Sequence, residues 1–253
     1  MELLTGTSGY SSKEWVGPFY PDGTRPGDML PYYASQLHAV EINNTFYRMP
    51  KSHVVEGWRD AVPSSFRFSI KASRRITHQK RLKDIEEPLE ILARQAAKLE
   101  DRLGAVLFQL PPNMAINLER LRALLEAWPR ELPCAVEFRH DSWLTDDTFS
   151  LLRQHEAGIV VSEDDTNASA NLNVTASQVY LRLRKERYTD AMLKRWIQRL
   201  LASGAETAMV FFKHEDDGAG PRLAARMQHL AEQPRPRRAG RRAVGKEDQR
   251  DQA

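Results

Sequence analysis

The sequence predicts an α/β fold, a single (β/α)8 barrel of the TIM type that ends in a disordered basic tail. The prediction rests on the length of 253 residues, on eight short apolar segments that recur along the chain, and on segments of helical periodicity between most of them. Barrels of this kind commonly take about 250 residues. We expect the barrel to comprise residues 1–231 and the tail residues 232–253. A doubly wound open sheet shows the same alternation and is the alternative.

Eight segments rich in apolar, β-branched or aromatic residues are the strand candidates. Short, nearly continuous apolar runs are typical of parallel strands that are buried on both faces. In chain order they are Leu3–Gly6, His38–Asn43, Phe66–Ala72, Ala105–Leu110, Cys134–Arg139, Gly158–Glu163, Gln178–Arg184 and Thr207–His214.

Apolar stripes at helical spacing mark helices between these strands. One stripe runs through Glu87–Leu103, where Pro88 suits a first helical turn. Asn117 and Thr145 stand where two further helices would begin, and their side-chain oxygens can accept from free backbone N–H groups. The helices before and after the last strand are marked by Met192, Trp196 and Leu200, and by Leu223, Met227 and Leu230.

The tail accounts for the whole net charge of the chain, which is +3 from 37 basic and 34 acidic residues. Residues 232–253 contain seven basic and four acidic side chains, so the barrel domain is neutral. The tail also lacks large apolar side chains and is rich in Arg, Pro and Gly, which predicts disorder. Net charge therefore gives little support to nucleic-acid binding by the barrel.

Several classes of protein are disfavoured by what the sequence lacks. The single cysteine, Cys134, cannot form an internal disulfide or a cysteine-built zinc site. No segment approaches the ~20 apolar residues of a membrane span, and the start does not read as a signal peptide, so we expect a cytoplasmic protein without membrane contact. Thr5–Gly9 is not a dinucleotide fingerprint, and neither a phosphate-binding P-loop nor a nucleophile elbow is present. We expect no cofactor.

Side-chain alternation along each strand indicates which residues point into the barrel. The outward set must be apolar because it packs on the helices, which leaves the polar set inside. The last strand directs either Phe211 and Lys213 or Phe212 and His214 inward. The other inward polar residues are Glu41, Asn43, Arg67, Ser69, Lys71, Gln109, Glu137, Arg139, Tyr180, Arg182 and Arg184.

So many inward charges predict either a structural ion-pair layer or an active site. Unpaired charges are costly inside a protein, and an ion-pair layer would satisfy them without chemistry. TIM barrels, however, assemble their active sites from the carboxyl ends of several strands, where these residues lie. Glu41 and Glu137 would then be the acid/base pair, with Lys71 beside them. Carboxylates and histidines could also hold a divalent metal, but no tight ligand spacing is present and we expect none.

The loops after these strands add basic and aromatic residues. Lys71–Lys83 contains Arg74, Arg75, His78, Lys80, Arg81 and Lys83, and is either a solvated charge run or a cradle for phosphate or carboxylate. The aromatic residues that follow strand ends could stack on a sugar or base, or could cap the barrel core. They are Tyr10, Trp15, Phe46, Tyr47 and Trp143.

Five segments in order resemble the YecE-like family, a domain of unknown function. They are Gly6–Tyr10 with Trp15 and Phe19–Pro21, Val40–Arg48, Phe68–Ala72 with Ile76–His78, Gln109–Pro112 and Val136–Trp143. The resemblance implies a TIM-type barrel and supplies no established reaction, substrate or cofactor. Its polar positions fall on Glu41, Asn43, Lys71, His78, Gln109, Glu137, Arg139, His140 and Arg182.

The sequence thus predicts an enzyme, a hydrolase, lyase or isomerase, that acts by acid/base chemistry on a small anionic compound such as a phosphorylated sugar. The alternatives are a barrel that binds nucleic-acid phosphates and a barrel that binds a ligand without catalysis. No signal indicates an oligomeric state. The predicted catalytic residues are Glu41, Glu137 and Lys71, and the predicted substrate-binding residues are Asn43, Tyr47, His78, Gln109, Arg139, His140, Trp143, Arg182 and Lys213.

Overall fold

Eight parallel strands form a closed barrel in the computed structural model, which describes residues 1–165, 171–213 and 218–233. The strands are β1 Glu2–Ser8, β2 Ala39–Ile42, β3 Arg67–Lys71, β4 Leu103–Gln109, β5 Cys134–Glu137, β6 Gly158–Glu163, β7 Gln178–Leu183 and β8 Thr207–Phe212. All eight predicted strands are present, with ends that differ by at most two residues. Pairing of β1 with β8, in which Leu4 lies beside Met209, closes the sheet. The TIM-type barrel is confirmed and the open sheet is excluded.

The α-helices cover the outside of the barrel. Within the described residues they are α1 Pro26–Gln36, α2 Ser52–Asp60, α3 Glu86–Ala97, α4 Leu118–Ala127, α5 Asp146–Gln154, α6 Asp190–Ala202 and α7 Ala219–Glu232. Both predicted caps are confirmed: Asn117 Oδ1 accepts from the backbone N–H of Arg120 at 2.9 Å, and Thr145 Oγ1 accepts from that of Thr148 at 3.3 Å. No α-helix lies in the described part of the connection between β6 and β7.

The helix predicted over Glu87–Leu103 is too long at its carboxyl end. The α3 helix stops at Ala97, and Leu103 is already the first residue of β4. Glu100 turns the chain with a positive φ of 52°, a conformation for which its side chain gives no sequence signal. Leu99 and Leu103 are nevertheless buried, so burial of the apolar stripe continues after the helix has ended.

Side-chain alternation divides the apolar residues into two clusters. The larger cluster lies between the strands and the helices, and the smaller one fills the barrel interior. Phe211 belongs to the interior cluster, so the last strand takes the register that also turns Lys213 towards the mouth of the barrel. The other candidate of that strand, His214, lies outside the described residues. The interior residues are Leu4, Ala39, Ala105, Leu107, Ala135, Val160, Tyr180, Met209 and Phe211.

Gly6 is required by the close approach of β1 to β2. A Cβ atom at Gly6 would lie 1.7 Å from the backbone oxygen of Ala39, which cannot move without breaking the ladder. We expect Gly6→Ala to lower the free energy of unfolding by about 1–3 kcal/mol, as overpacking does, measured by denaturant unfolding. Gly27→Ala is the control, because a Cβ there meets nothing within 4 Å. Equal midpoints for the two variants would contradict this account of Gly6.

The carboxyl-terminal boundary is described up to the end of α7 at Glu232. The predicted basic tail starts at residue 232, which is still the last residue of α7, and its part from residue 234 onward lies outside the described residues. Among the helices that are described, none has the length and hydropathy needed to cross a bilayer.

Candidate functional site

Arg182 of β7 joins two buried glutamates at the carboxyl end of the barrel. Its Nη2 donates to Glu41 Oε1 at 2.8 Å, and its Nη1 donates to Glu137 Oε2 at 2.7 Å. The three side chains are 4%, 0% and 1% exposed respectively. We call Glu41, Arg182 and Glu137 the central network. It brings together the two predicted catalytic carboxylates by binding both to one guanidinium.

Both carboxylate oxygens of Glu41 are hydrogen-bonded. Ser8 Oγ and Asn43 Nδ2 donate to Oε1 at 2.7 and 3.0 Å, and Tyr180 donates its hydroxyl to Oε2 at 2.7 Å. Burial alone would raise the pKa of Glu41, but the charge of Arg182 and the hydrogen bonds from Tyr180, Ser8 and Arg182 hold the pKa below its ordinary value. Glu41 is therefore held as a carboxylate.

Glu137 is less completely satisfied. Gln109 Nε2 donates to its Oε2 at 2.8 Å, beside the bond from Arg182. Its Oε1 is buried and has no hydrogen-bond donor among the described residues. Nε of Arg139 lies 3.7 Å from this oxygen, beyond hydrogen-bonding distance. One buried carboxylate oxygen therefore remains available to a donor from elsewhere.

Lys71 stands at the end of β3 above the central network. Its ammonium lies 4.5 Å from the centre of the Phe46 ring. Burial and the charge of Arg182 lower the pKa of Lys71 to about 8, although Glu41 and Glu137 act in the opposite direction. Lys71 therefore titrates close to neutral pH.

The mouth of the barrel holds a cavity of about 310 Å³, which we call the mouth cavity. Five of its lining side chains are basic, and no acidic side chain of the described residues lines it. The Nε atoms of Arg182 and Arg184 are buried, and neither has a hydrogen-bond acceptor among the residues that the structure describes. The lining residues are Ser8, Asn43, Phe46, Tyr47, Lys71, Gln109, Arg139, Arg182, Arg184 and Lys213.

A second cavity of about 550 Å³, which we call the cleft, opens beside the mouth cavity. Arg139 and Arg184 line both cavities and stand between them. The cleft combines carboxylate and amide groups with an apolar wall. Its lining includes Glu137, His140, Asp141, Leu144, Phe149, Ile159, Val161, Ser162, Asp164, Asn171 and Asn173.

Part of the basic loop after β3, residues 71–83, packs against aromatic side chains at the mouth of the barrel. The His78 ring lies edge-on to Phe46 at 4.9 Å, and the Arg74 guanidinium lies 5.8 Å from the Tyr47 ring. Burial and the charges of Lys71 and Arg139 lower the pKa of His78. Arg75 instead pairs with Glu87 at 3.0 Å. Through His78 and Arg74 this loop therefore contacts two aromatic side chains that line the mouth cavity.

Nine of the twelve predicted site residues line the two cavities, Glu41 and His78 contact the lining residues Arg182 and Phe46, and Trp143 lines neither cavity. Tyr47 is 70% exposed at the mouth, and His140 lines the cleft while its Nδ1 accepts from the backbone of Ser142. Trp143 is fully buried and donates to the backbone oxygen of Met114 at 2.8 Å. Trp143 was predicted to bind substrate, and this prediction is corrected: its side chain packs in the core.

Several side chains of the central network, the mouth cavity and the cleft were not among the predicted site residues, and three of them are Ser8, Tyr180 and Arg184. Strand alternation predicted that Tyr180 and Arg184 face the barrel interior, but neither was predicted to have a role in the site. Ser8 lies on the same, interior face of β1 as Leu4. It was missed because the predicted strand ended at Gly6, two residues before it. In the described part of the chain, no group of three or more His, Cys, Asp or Glu residues could hold a metal ion.

The fold and the site define a TIM-barrel protein with a buried ionic network and a basic cavity at the carboxyl ends of its strands. The chain belongs to the family described as "Protein of unknown function DUF72", whose model matches residues 4–246.

Curated and solved relatives agree with this assignment. UPF0759 protein YecE of Escherichia coli K12 is 33% identical over 112 residues, which are 44% of this chain and 41% of that relative's length. A DUF72 family protein of Thermotoga maritima is 27% identical with a TM-score of 0.81, covering 92% of this chain and 100% of the other. A DUF72 family protein of Enterococcus faecalis is 19% identical with a TM-score of 0.71 and coverages of 92% and 98%, and shows the fold alone.

Proposed function

We propose that this protein is an enzyme that binds a small anionic substrate of the phosphorylated-sugar type in the mouth cavity. The observation that carries the proposal is the lining, in which five basic side chains and no acidic one of the described residues face the same small space. Guanidinium groups match phosphate and carboxylate oxygens in geometry as well as charge. The position at the carboxyl ends of the strands is also where TIM barrels hold their substrates.

The central network supports this role by fixing Arg182. Two carboxylates take its Nη1 and Nη2 groups, so its position is set before any ligand arrives. Its buried Nε and that of Arg184 lack acceptors among the described residues, and buried donors of this kind are costly unless a partner satisfies them. An anion in the mouth cavity would supply acceptor oxygens to a preorganised set of donors.

The group best suited to proton transfer is Lys71. A general acid or base works best with a pKa near the operating pH, and that of Lys71 is about 8. Glu41 and Glu137, the carboxylates that the sequence favours for this task, are both bound to Arg182. In the proposed mechanism they position Arg182, Lys71 transfers the proton, and Arg139 and Arg184 stabilise negative charge.

A ligand-binding barrel without catalysis is the second candidate. It is favoured by the complete hydrogen bonding of Glu41, which leaves that carboxylate no free oxygen. Turnover on a panel of sugar phosphates separates the two, since a binding protein would show affinity without product. Binding of nucleic-acid phosphates stays a prediction, and the enclosure of the cationic groups within a small cavity favours a small ligand over a polymer.

The affinity of the mouth cavity for sulfate is expected to depend on pH through Lys71. Sulfate keeps its charge between pH 6 and 10, so the change must come from the protein. The groups that face Lys71 are Glu41, Glu137, Arg139, Arg182 and His78. A lysine with a lowered pKa is charged below that value, so affinity should be constant near pH 7 and fall by up to about tenfold per pH unit above 8. Calorimetric titration measures this, and equal affinities at pH 7 and 9.5 would contradict it.

A further inference from the structure

The cleft exists because β5 and β6 separate towards the mouth. Their pairing is confined to Ala135 beside Gly158 and Val136 beside Ile159. Beyond that point β5 ends at Glu137, whereas β6 continues to Glu163 and pairs with β7 alone. A wedge of space therefore opens between two strands, next to the mouth cavity and in the size range of small-molecule sites.

The walls of the cleft are of two kinds. Leu144, Phe149 and Ile159 supply apolar surface to the lining, and Asp164, Asn171 and Asn173 supply carboxylate and amide groups that can accept hydrogen bonds. Among the described residues, the basic groups that line the cleft are His140 and the two arginines shared with the mouth cavity, Arg139 and Arg184. A ligand body with an apolar face and several hydroxyl donors fits this lining, and such a body is that of a sugar ring.

An exposed leucine marks the same place. Leu144 and Tyr47 are 56% and 70% exposed, more than any other large apolar side chain of the described residues. Leu144 lines the cleft and Tyr47 lines the mouth cavity. Each of these side chains is therefore accessible to a ligand in the cavity that it lines.

Glu137 lines the cleft and lies beside Arg139, which lines both cavities. Its Oε1 is buried without a donor among the described residues, and Glu137 lines the cleft. Arg139 lies beside this oxygen, with Nε 3.7 Å away, and its side chain is 36% exposed. Movement of this partly exposed side chain towards an anion in the mouth cavity would uncover Oε1 for a hydroxyl group.

We infer that the cleft is the subsite for the sugar body of the substrate, whose phosphate lies in the mouth cavity. The inference rests on the proposed function and adds a second site to it. A ring hydroxyl donates to Glu137 Oε1, the apolar face of the ring packs on Leu144, and the anionic group meets Arg139 and Arg184, which line both cavities.

The test is calorimetric titration of the full chain with inorganic phosphate, glucose 6-phosphate, fructose 6-phosphate and ribose 5-phosphate. At least one sugar phosphate should bind about tenfold or more tighter than inorganic phosphate. Leu144→Ser should weaken that binding by about three- to tenfold and leave inorganic phosphate unchanged. Leu201→Ser, an exposed leucine of α6 that lines neither cavity, should change neither.

Each other outcome overturns a defined statement. Binding of phosphate with no gain from any of the three sugars overturns the cleft as a sugar subsite and leaves the proposed anion site standing. A gain that Leu144→Ser and Leu201→Ser affect equally shows that the sugar lies outside the cleft. Absence of binding by all four ligands overturns the proposed function and this inference together.

Discussion

Arg182→Met is expected to lower the free energy of unfolding by about 3–5 kcal/mol, because it removes the guanidinium that binds two buried carboxylates. Glu41 and Glu137 are 0% and 1% exposed and would both lose their direct hydrogen bond to a cation. Methionine nearly preserves the side-chain volume, so the loss would come from charge rather than from a void. Urea unfolding of wild type and variant at pH 7.5 measures the difference.

The control for this variant is Arg226→Met. Arg226 forms its ion pair with Asp190 on the surface between α7 and α6, where both side chains are about half exposed. Solvent screening makes such a pair contribute little, so this variant should unfold close to wild type. A similar loss in both variants would show that the buried position of Arg182 has no special energetic role.

Acid should reduce the effect of Arg182→Met. Arg182 holds the pKa of Glu41 below its ordinary value. The stability from this interaction is therefore fully present above the pKa that Glu41 has in the unfolded chain, and it is lost as pH falls towards the lower pKa of the folded protein. In the variant the Glu41 carboxyl group, no longer held ionised by Arg182, can protonate and become neutral. The difference between the two proteins should therefore be smaller at pH 4 than at pH 7.5, and a difference independent of pH would contradict the ionic explanation.

Lys71→Met is expected to weaken sulfate binding by about 10- to 100-fold at pH 7. A hydrogen bond to a charged group contributes about 1.5–3 kcal/mol, which corresponds to that range of affinity. The variant should also lose the decline of affinity above pH 8, because Lys71 is the group that titrates there. Calorimetric titrations at pH 7 and pH 9.5 measure both effects.

The free energy of unfolding of Lys71→Met distinguishes a variant that has lost the anion site from one that no longer folds properly. The lowered pKa of Lys71 means that the folded protein disfavours its charge, so methionine should leave the free energy of unfolding at pH 7 unchanged or raise it. Lys194→Met, an exposed lysine of α6, is the matched control and should bind sulfate like wild type. Equal sulfate affinity in the two variants would remove Lys71 from the site.

The barrel was predictable because its strands are buried on both faces and separated by helices. Apolar runs then mark the strands, and the polar residues within them must face the interior, which correctly placed Lys71 and Arg182. The end of α3 was not predictable, because Glu100 adopts a left-handed conformation without a glycine or asparagine to signal it. Trp143 was misplaced because an aromatic residue after a strand can turn either to the mouth or into the core.

The chemistry of the site was less predictable than its composition. Glu41, Glu137 and Arg182 are far apart in the chain, and only the curvature of the closed barrel places both carboxylates on one guanidinium. The cleft forms where β5 separates from β6. Its position depends on how many residues of each strand are paired, which apolar patterning does not encode. The sequence therefore indicated which residues meet, and the structure shows which bonds they form.

The central claim is that the mouth of the barrel is an anion site built on the central network. A crystal of the protein soaked in tungstate, a phosphate mimic with strong anomalous scattering, tests it most directly. The account predicts an anomalous peak in the mouth cavity, within hydrogen-bonding distance of Lys71 and at least one of Arg139 and Arg184. Tungstate bound only to surface arginines, with the mouth cavity empty, would contradict it.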